Sequence, residues 1–368
     1  MTESTDSASS NWETAVAATQ FDPLLKELPE QYELLMKVRE GGMGAIYRAK
    51  NRYTGASFAI KILLPKYAAD EDMRQRFITE AKAASALKHH GICQVRDFGI
   101  TKSKMPYLVM DWLDGMTLHE RVGTKGPLNA REAIPIFIQI ASAMGHAHKQ
   151  KVIHRDLKPE HVVLCQNEAG EHNDVRIVDF GIAKLIHDEG APAPKEGLTM
   201  DGMVIGTPLY MSPQQIKGLK LDGSSDVYSM GCLMYFTMSG IPPFEGETYI
   251  DVMYKHVNNP PPDFPSLIKV SDDLKNIIFR AMEKEPQDRF GTMEDLITEL
   301  KKLTKGVSVE RKTLSHDRAK NKQKWITVAY FIGGFVVMYV ISTLLQTLME
   351  PQSNKAETTK NAAQQGSK

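Results

Sequence analysis

The sequence predicts an α+β fold in two lobes, a small strand-rich lobe followed by a larger helical one, with a single transmembrane helix near the far end of the chain. Two observations lead there. The hydrophobic pattern changes period part-way along, from short strand-like runs to long helical ones, and a later run of 25 residues, 325 to 349, carries no charge. With 368 residues, 42% of them hydrophobic and 24% charged, the chain can bury a large core and still carry tails.

From Tyr32 to about Leu113 the apolar runs are short (YELLMKV, AIYRA, SFAIKIL, YLVMDWL) and are broken by glycine and polar turns, which predicts strands. One helix interrupts them, because Phe77, Glu80, Ala84 and Leu87 fall on one face at steps of three, four and three. Beyond Leu118 the period becomes helical over residues 130–149, 225–239, 272–284 and 292–303, with short strands around VVL and VRIV between the first two. Such an order suggests a cleft between two lobes. The run NNPPPDFP at 258–265 is expected to be a surface loop, since proline neither donates to a ladder nor continues a helix.

The net charge is zero, so bulk electrostatics favour neither nucleic acid nor an acidic partner. Two local imbalances stand out. Residues 1–30 hold six acids against one base, with eight Ser or Thr in the first twenty positions, and are expected to be a disordered tail. Residues 301–324 hold nine Lys or Arg against two acids and lead directly into the uncharged run. Cys93, Cys165 and Cys232 lack metal-site or disulfide spacing, which fits a reducing compartment. No secretory signal pattern follows Met1, and the start of the chain is expected in the cytoplasm.

Three stretches carry chemistry. In EGGMGAIYRAK (40–50), glycines 41, 42 and 44 lie between two apolar strands, where a hairpin either approaches a phosphate closely or is an ordinary tight turn. In FAIKIL, Lys61 is a cation on an apolar strand and needs an anion, which Glu80 on the inward helical face can supply. The third stretch is VIHRDLKPEHVVL (152–164) followed by VRIVDFG (175–181). Phosphoryl transfer asks for metal to screen phosphate charge, a cation near the transferred group and a carboxylate facing the attacking hydroxyl. Asp156, in a loop bracketed by His154 and Pro159, and Asp179, at a strand end before Gly181, can supply the carboxylates.

With those motifs in order, residues 31–304 resemble the protein kinase family, in particular its bacterial serine/threonine branch: glycine loop, FAIK, helix acid, hinge, HRDLKP, DFG, GTPLYMSP, SDVYSMGC and EPQDRF. The resemblance implies the two-lobed kinase fold, with an N-lobe over 31–111 and a C-lobe over 114–304. It implies ATP and Mg2+ as cofactors and protein Ser/Thr hydroxyls as substrates. By the same resemblance Lys61 holds the α and β phosphates and pairs with Glu80, Asp179 binds magnesium, Asp156 accepts the substrate proton and Lys158 steadies the γ-phosphate. Lys158 and Thr207 go with serine/threonine rather than tyrosine specificity. Val38, Gly41, Gly42, Gly44, Ile46 and Ala59 belong to the nucleotide site, with Met110 as gatekeeper and the backbone of Asp111 and Leu113 at the adenine edge. Asp226 resembles the buried acid that braces the HRD backbone; a helix N-cap is the other reading of it.

Three positions depart from the family pattern. Arg39 stands where the first loop glycine is usual. His161 replaces the catalytic-loop Asn that holds a second metal, which reduces activity or shifts preference toward Mn2+. Gln214 replaces the acid that pairs with the arginine corresponding to Arg289, leaving a hydrogen bond in place of an ion pair. His161 is also what favours the alternative of a pseudokinase, a nucleotide-binding membrane scaffold with weak or no transfer. Arg155 calls for an anion from the activation segment, and Thr199 is the one hydroxyl within 182–206, so autophosphorylation is expected there.

As a helix at about 1.5 Å per residue, the run from Trp325 to Met349 exceeds the roughly 30 Å hydrocarbon core. Nine bases precede it within 24 residues against three lysines in the 18 residues after Glu350, which puts the kinase domain on the cytoplasmic side. The expected organisation is therefore a tail (1–30), a kinase domain (31–304), a basic juxtamembrane linker (305–324), the transmembrane helix (325–349) and a short polar external tail (350–368). Signals are expected to arrive through a homodimer, a partner membrane protein or the N-terminal tail.

Overall fold

The computed structural model describes residues 27–41, 44–166, 170, 172–180 and 208–304, apart from the side chains of Asp72, Arg76 and Glu80. These residues fall within one compact unit that ends at Thr304.

Strands β1 (Tyr32–Glu40), β2 (Gly44–Asn51), β3 (Ser57–Leu63), β4 (Val95–Ile100) and β5 (Pro106–Asp111) form an antiparallel sheet in the order β1-β2-β3-β5-β4. Helices α1 (Pro65–Ala68) and α2 (Glu71–Ala86) connect β3 to β4. Residues directly opposite one another share a face of a sheet. The pairs Ile46↔Lys61, Arg48↔Ala59, Ala59↔Met110 and Lys61↔Leu108 therefore align Ile46, Arg48, Ala59, Lys61, Leu108 and Met110 on one face. On the other, Tyr47, Ala49 and Ile60 are buried in a cluster that includes Phe77, Ala81 and Ala84 of α2. Close pairing where β2 begins beside the end of β3 needs glycine: a Cβ on Gly44 would lie 2.7 Å from the Ile62 carbonyl oxygen.

A three-stranded sheet, β6 (Gly115–Thr117), β7 (Val162–Gln166) and β8 (His172–Ile177), carries the loops of the second lobe. Around it lie α3 (Leu118–Lys125), α4 (Ala130–Lys149), α5 (Pro213–Ile216), α6 (Gly223–Ser239), α7 (Tyr249–Asn258) and α8 (Asp272–Ala281), and residues 293–304 are helical. From Ser225 to Ser239 every residue of α6 is buried, because this apolar helix is surrounded by the rest of the lobe. Its approach to α8 is so close that a Cβ on Gly231 would meet Met282 Cγ at 2.6 Å.

The predicted helix at 130–149 coincides with α4, and 225–239 and 272–284 correspond to α6 and α8. Residues 260–265 form neither helix nor strand. Strand β4 and helices α3 and α7 were not anticipated. In β4, the edge strand, Arg96, Asp97 and Gly99 interrupt the apolar alternation that periodicity needs. Among the described residues no helix is long and apolar enough to cross a membrane, and the run 325–349 lies outside them.

Arg289 is 2% exposed. Its guanidinium donates to the carbonyls of Glu283 (2.6 Å), Ser224 (2.8 Å) and Lys284 (2.7 Å) and to Gln214 Oε1 (3.0 Å). Gln214 Nε2 donates in turn to Ser224 Oγ (3.1 Å), so the amide satisfies both neighbours without a formal charge. Burial lowers the pKa of Arg289, as expected for a cation so enclosed. Replacing Gln214 by Ala is expected to leave one guanidinium donor unsatisfied and to cost roughly 1–3 kcal/mol of unfolding free energy, read as a lower urea midpoint at unchanged m-value.

Candidate active site

Five side chains predicted from three separate motifs converge between the two sheets. Lys61, from the shared face of β3, places Nζ 2.7 Å from Asp179 Oδ1, just beyond β8. His161, in the 3-10 turn Pro159–His161 that leads into β7, has Nδ1 2.9 Å from the Asp156 carbonyl and Nε2 3.8 Å from Asp179 Oδ2. Lys158 Nζ donates to Asp156 Oδ2 at 2.8 Å, and His161 Nδ1 stands 3.6 Å from the same oxygen.

The carbonyl of Asp156 can only accept, so Nδ1 of His161 carries its proton and Nε2 keeps a lone pair directed toward Asp179. Burial lowers the pKa of His161 to about 4, which leaves the ring neutral near pH 7. Burial acts in the opposite sense on Asp179, but the Lys61 ammonium outweighs it through its charge and its hydrogen bond, and the carboxyl is held well below the ordinary carboxylate range. The outcome is an anionic Asp179 and a neutral nitrogen donor side by side.

Two non-glycine residues of this region have left-handed backbone, Arg155 at φ 64° and Asp179 at φ 59°. Such a conformation costs on the order of 1–3 kcal/mol per residue and persists only where its surroundings enforce it. Asp226 enforces the first. This residue is 0% exposed and accepts from the backbone N–H of His154 (2.8 Å) and Arg155 (2.9 Å), and from His148 Nε2 at 2.8 Å. Burial alone would raise its pKa, yet the hydrogen bond from His148, with further help from His154, keeps it below the ordinary value. The N-cap reading of Asp226 is corrected: Asp222 caps α6, accepting from Ser224 N, and Asp226 lies in the first turn with its carboxylate turned to the loop. Gln215 completes the frame by donating to the Arg155 carbonyl at 2.6 Å.

His154 links this loop to the other. Its Nε2 donates to the Val178 carbonyl (3.1 Å), its Nδ1 accepts from Asp156 N (3.3 Å), and its ring packs on Phe180 with centroids 4.7 Å apart. Backbone bonds from Val178 N to His161 O (3.0 Å) and from Cys93 N to Ile177 O (2.9 Å) tie both loops to the sheet edges.

Residues 32–300 match a family model described as the protein kinase domain. The chain belongs to the protein kinase family. It is similar to the serine/threonine-protein kinase PknB of Mycobacterium tuberculosis, 34% identical over 283 residues, and to the serine/threonine-protein kinase pkn3 of Myxococcus xanthus, 36% identical over 286. Each match covers 76% of this chain but 44% of PknB and 51% of pkn3, so the chain spans about half the length of these curated relatives. In fold it is similar to the crystal structure of the M. tuberculosis PknI kinase domain, with a TM-score of 0.57 and 24% identity over 74% of this chain and 95% of the other.

Of the residues expected at a kinase nucleotide site, Ile46, Ala59 and Met110 share the Lys61 face, Gly44 opens β2, and Leu113 packs at the edge of the first-lobe core. Val38 is 46% exposed near the end of β1, and Gly41 and Arg39 are exposed beside it. Asp111 closes β5. Gly42, Thr207 and Thr199 lie outside the described residues, as does the side chain of Glu80, which belongs to α2; the described partner of Lys61 is Asp179. Sequence reasoning missed His148 and Gln215, whose roles depend on chain brought from 78 and 60 positions away.

Depressed carboxyl pKa values add stability above the unfolded value and lose it as the pH falls through the folded one. Burial also places His154 below 6.5, and His256 at about 3, so the unfolded chain takes up protons first as the pH drops from about 6.5. Unfolding free energy is therefore expected to decline steadily between pH 6.5 and 4, and Asp226→Asn to remove a further 2–3 kcal/mol or so at pH 7, both checked by urea denaturation.

Proposed function

We propose that this chain is a membrane-anchored, ATP-dependent serine/threonine protein kinase acting in signal transduction. The observation that carries the reading is the convergence of Lys61, Asp156, Lys158, His161 and Asp179 within hydrogen-bond or near-contact distances of one another. In this assignment Asp156 accepts the proton of a substrate Ser or Thr hydroxyl, and Lys158, already 2.8 Å from that carboxylate, neutralises the γ-phosphate. Lys61 binds the α and β phosphates, paired with Glu80 when nucleotide draws it from Asp179. Val38, Gly41, Gly42, Gly44, Ile46 and Ala59 cover the nucleotide, while Met110 and the backbone of Asp111 and Leu113 meet the adenine. Thr207 joins the catalytic groups in selecting Ser/Thr substrates.

Asp179 and His161 fit a divalent ion: a mostly buried carboxylate and an imidazole nitrogen whose lone pair faces it. A metal held there would screen the phosphate charge. Magnesium is the family's ion, and the nitrogen donor favours Mn2+ relative to an amide oxygen. The same residue supports the second reading, a pseudokinase that binds nucleotide and transfers poorly.

Transfer of labelled phosphate from ATP to a basic protein and to the chain itself separates the two. The kinase is expected to be active, with a higher rate in Mn2+ than in Mg2+, and Asp156→Asn to lose at least about a hundredfold. His161→Asn is expected to lower the Mn2+ to Mg2+ rate ratio, and peptide mapping to find autophosphate on Thr199. Signal from Asp156→Asn equal to wild type would remove the kinase reading.

Membrane anchoring rests on the uncharged run 325–349 behind nine bases, with the kinase domain cytoplasmic and with dimerisation or a partner membrane protein as the route for signals. The chain is expected to sediment with membranes after carbonate extraction. Removing residues 325–349 should release it to the supernatant, and a soluble wild-type chain would overturn the anchor.

A further inference from the structure

The segment Trp112–Asp114 carries the chain from the five-stranded sheet to the three-stranded one, and two arginines from the first sheet hold its start, one reaching Asp111 at the end of β5 and the other Trp112. Arg96 comes from the edge strand β4 at a bulge, where the register with β5 slips between Val95 and Asp97. A bulge re-aims the side chain of its extra residue. Here it delivers a two-pronged contact, Arg96 Nε to Asp111 Oδ1 at 2.6 Å and a terminal nitrogen to Oδ2 at 2.9 Å. Arg48 comes from β2, on the face shared by Ile46, Ala59 and Met110, and its guanidinium lies over the Trp112 ring at 4.7 Å from the centroid. Its Nε is buried without a hydrogen-bond partner among the described residues, and the aromatic face takes the place of a polar one. Trp112 is fixed at its other end by Nε1 donating to Asp114 Oδ1 at 2.8 Å, and the Asp111 carbonyl accepts from Cys93 Sγ at 3.6 Å.

We propose that Arg96 and Arg48 are positioning residues for the nucleotide base: one from β4 and one from β2, they pin Asp111 and Trp112 so that the backbone edge between Asp111 and Leu113 is held in one conformation for adenine. The inference rests on the nucleotide-site reading above. Three coil residues free to rotate would lose conformational entropy on meeting a base; side-chain contacts that order them beforehand transfer that loss to folding. Neither arginine touches the phosphate-binding end, where Lys61, Asp179 and His161 lie, so their effect is confined to the base.

The test uses the full-length chain in detergent, with wild type, Arg96→Ala, Arg96→Lys and Arg48→Met compared by calorimetric titration of adenosine and of inorganic tripolyphosphate, and by KM and kcat for ATP. Each variant is expected to weaken adenosine binding and raise the KM for ATP roughly three- to tenfold, with tripolyphosphate affinity and kcat within about twofold of wild type. Arg96→Lys keeps the charge but loses the fork, and separates a geometric role from a simple counter-charge. Unchanged adenosine affinity in Arg96→Lys and Arg48→Met, or equal weakening toward tripolyphosphate, would overturn the proposal. A wild-type chain that binds neither probe would instead overturn the nucleotide-site reading itself.

Discussion

The carboxylate of Asp226, enclosed in the second lobe, is the constraint on which the site depends. It accepts two consecutive backbone N–H groups, from His154 and Arg155, and thereby holds Arg155 in a left-handed conformation that the residue would not adopt alone. That turn sets where Asp156 and Lys158 emerge. A charged acceptor with three donors is satisfied in a place water does not reach, so the strain is balanced by hydrogen bonds stronger than neutral ones.

The scaffold behind Asp226 is rigid for a simple reason. Helix α6 is buried on all sides from Ser225 to Ser239, and it meets α8 at Gly231, which brings no side chain of its own to the contact. A helix so enclosed cannot shift without opening a cavity or forcing an overlap. The loop frame inherits that rigidity through Asp226, and His154 passes it to the second acidic loop by bonding Val178 and packing on Phe180.

Two substitutions away from the family pattern are absorbed in different ways. At Gln214 the amide replaces an acid by donating to Ser224 while accepting from Arg289, three of whose other donors are taken by backbone carbonyls. The loss of charge is met by geometry. At His161 the ring fastens its loop through Nδ1 to the Asp156 carbonyl, and its other nitrogen faces Asp179. There the change alters the chemistry offered to a ligand while leaving the loop anchored.

Local patterns in the sequence determined the strands around Ile46 and Lys61, the helix at 130–149, the buried helix beginning near Ser225 and the identity of the acidic loops, because periodicity and turn chemistry act over a few residues. They also marked Lys61, Asp156 and Asp179 as members of one site. Tertiary structure alone decided that Asp226 braces a loop rather than capping its helix, that His148 and Gln215 join it, that Lys61 meets Asp179, and that a bulge in β4 turns Arg96 toward Asp111. The physical reason is range: a hydrogen bond acts over about 3 Å in space, and its partners here lie tens of residues apart, where no sequence period connects them.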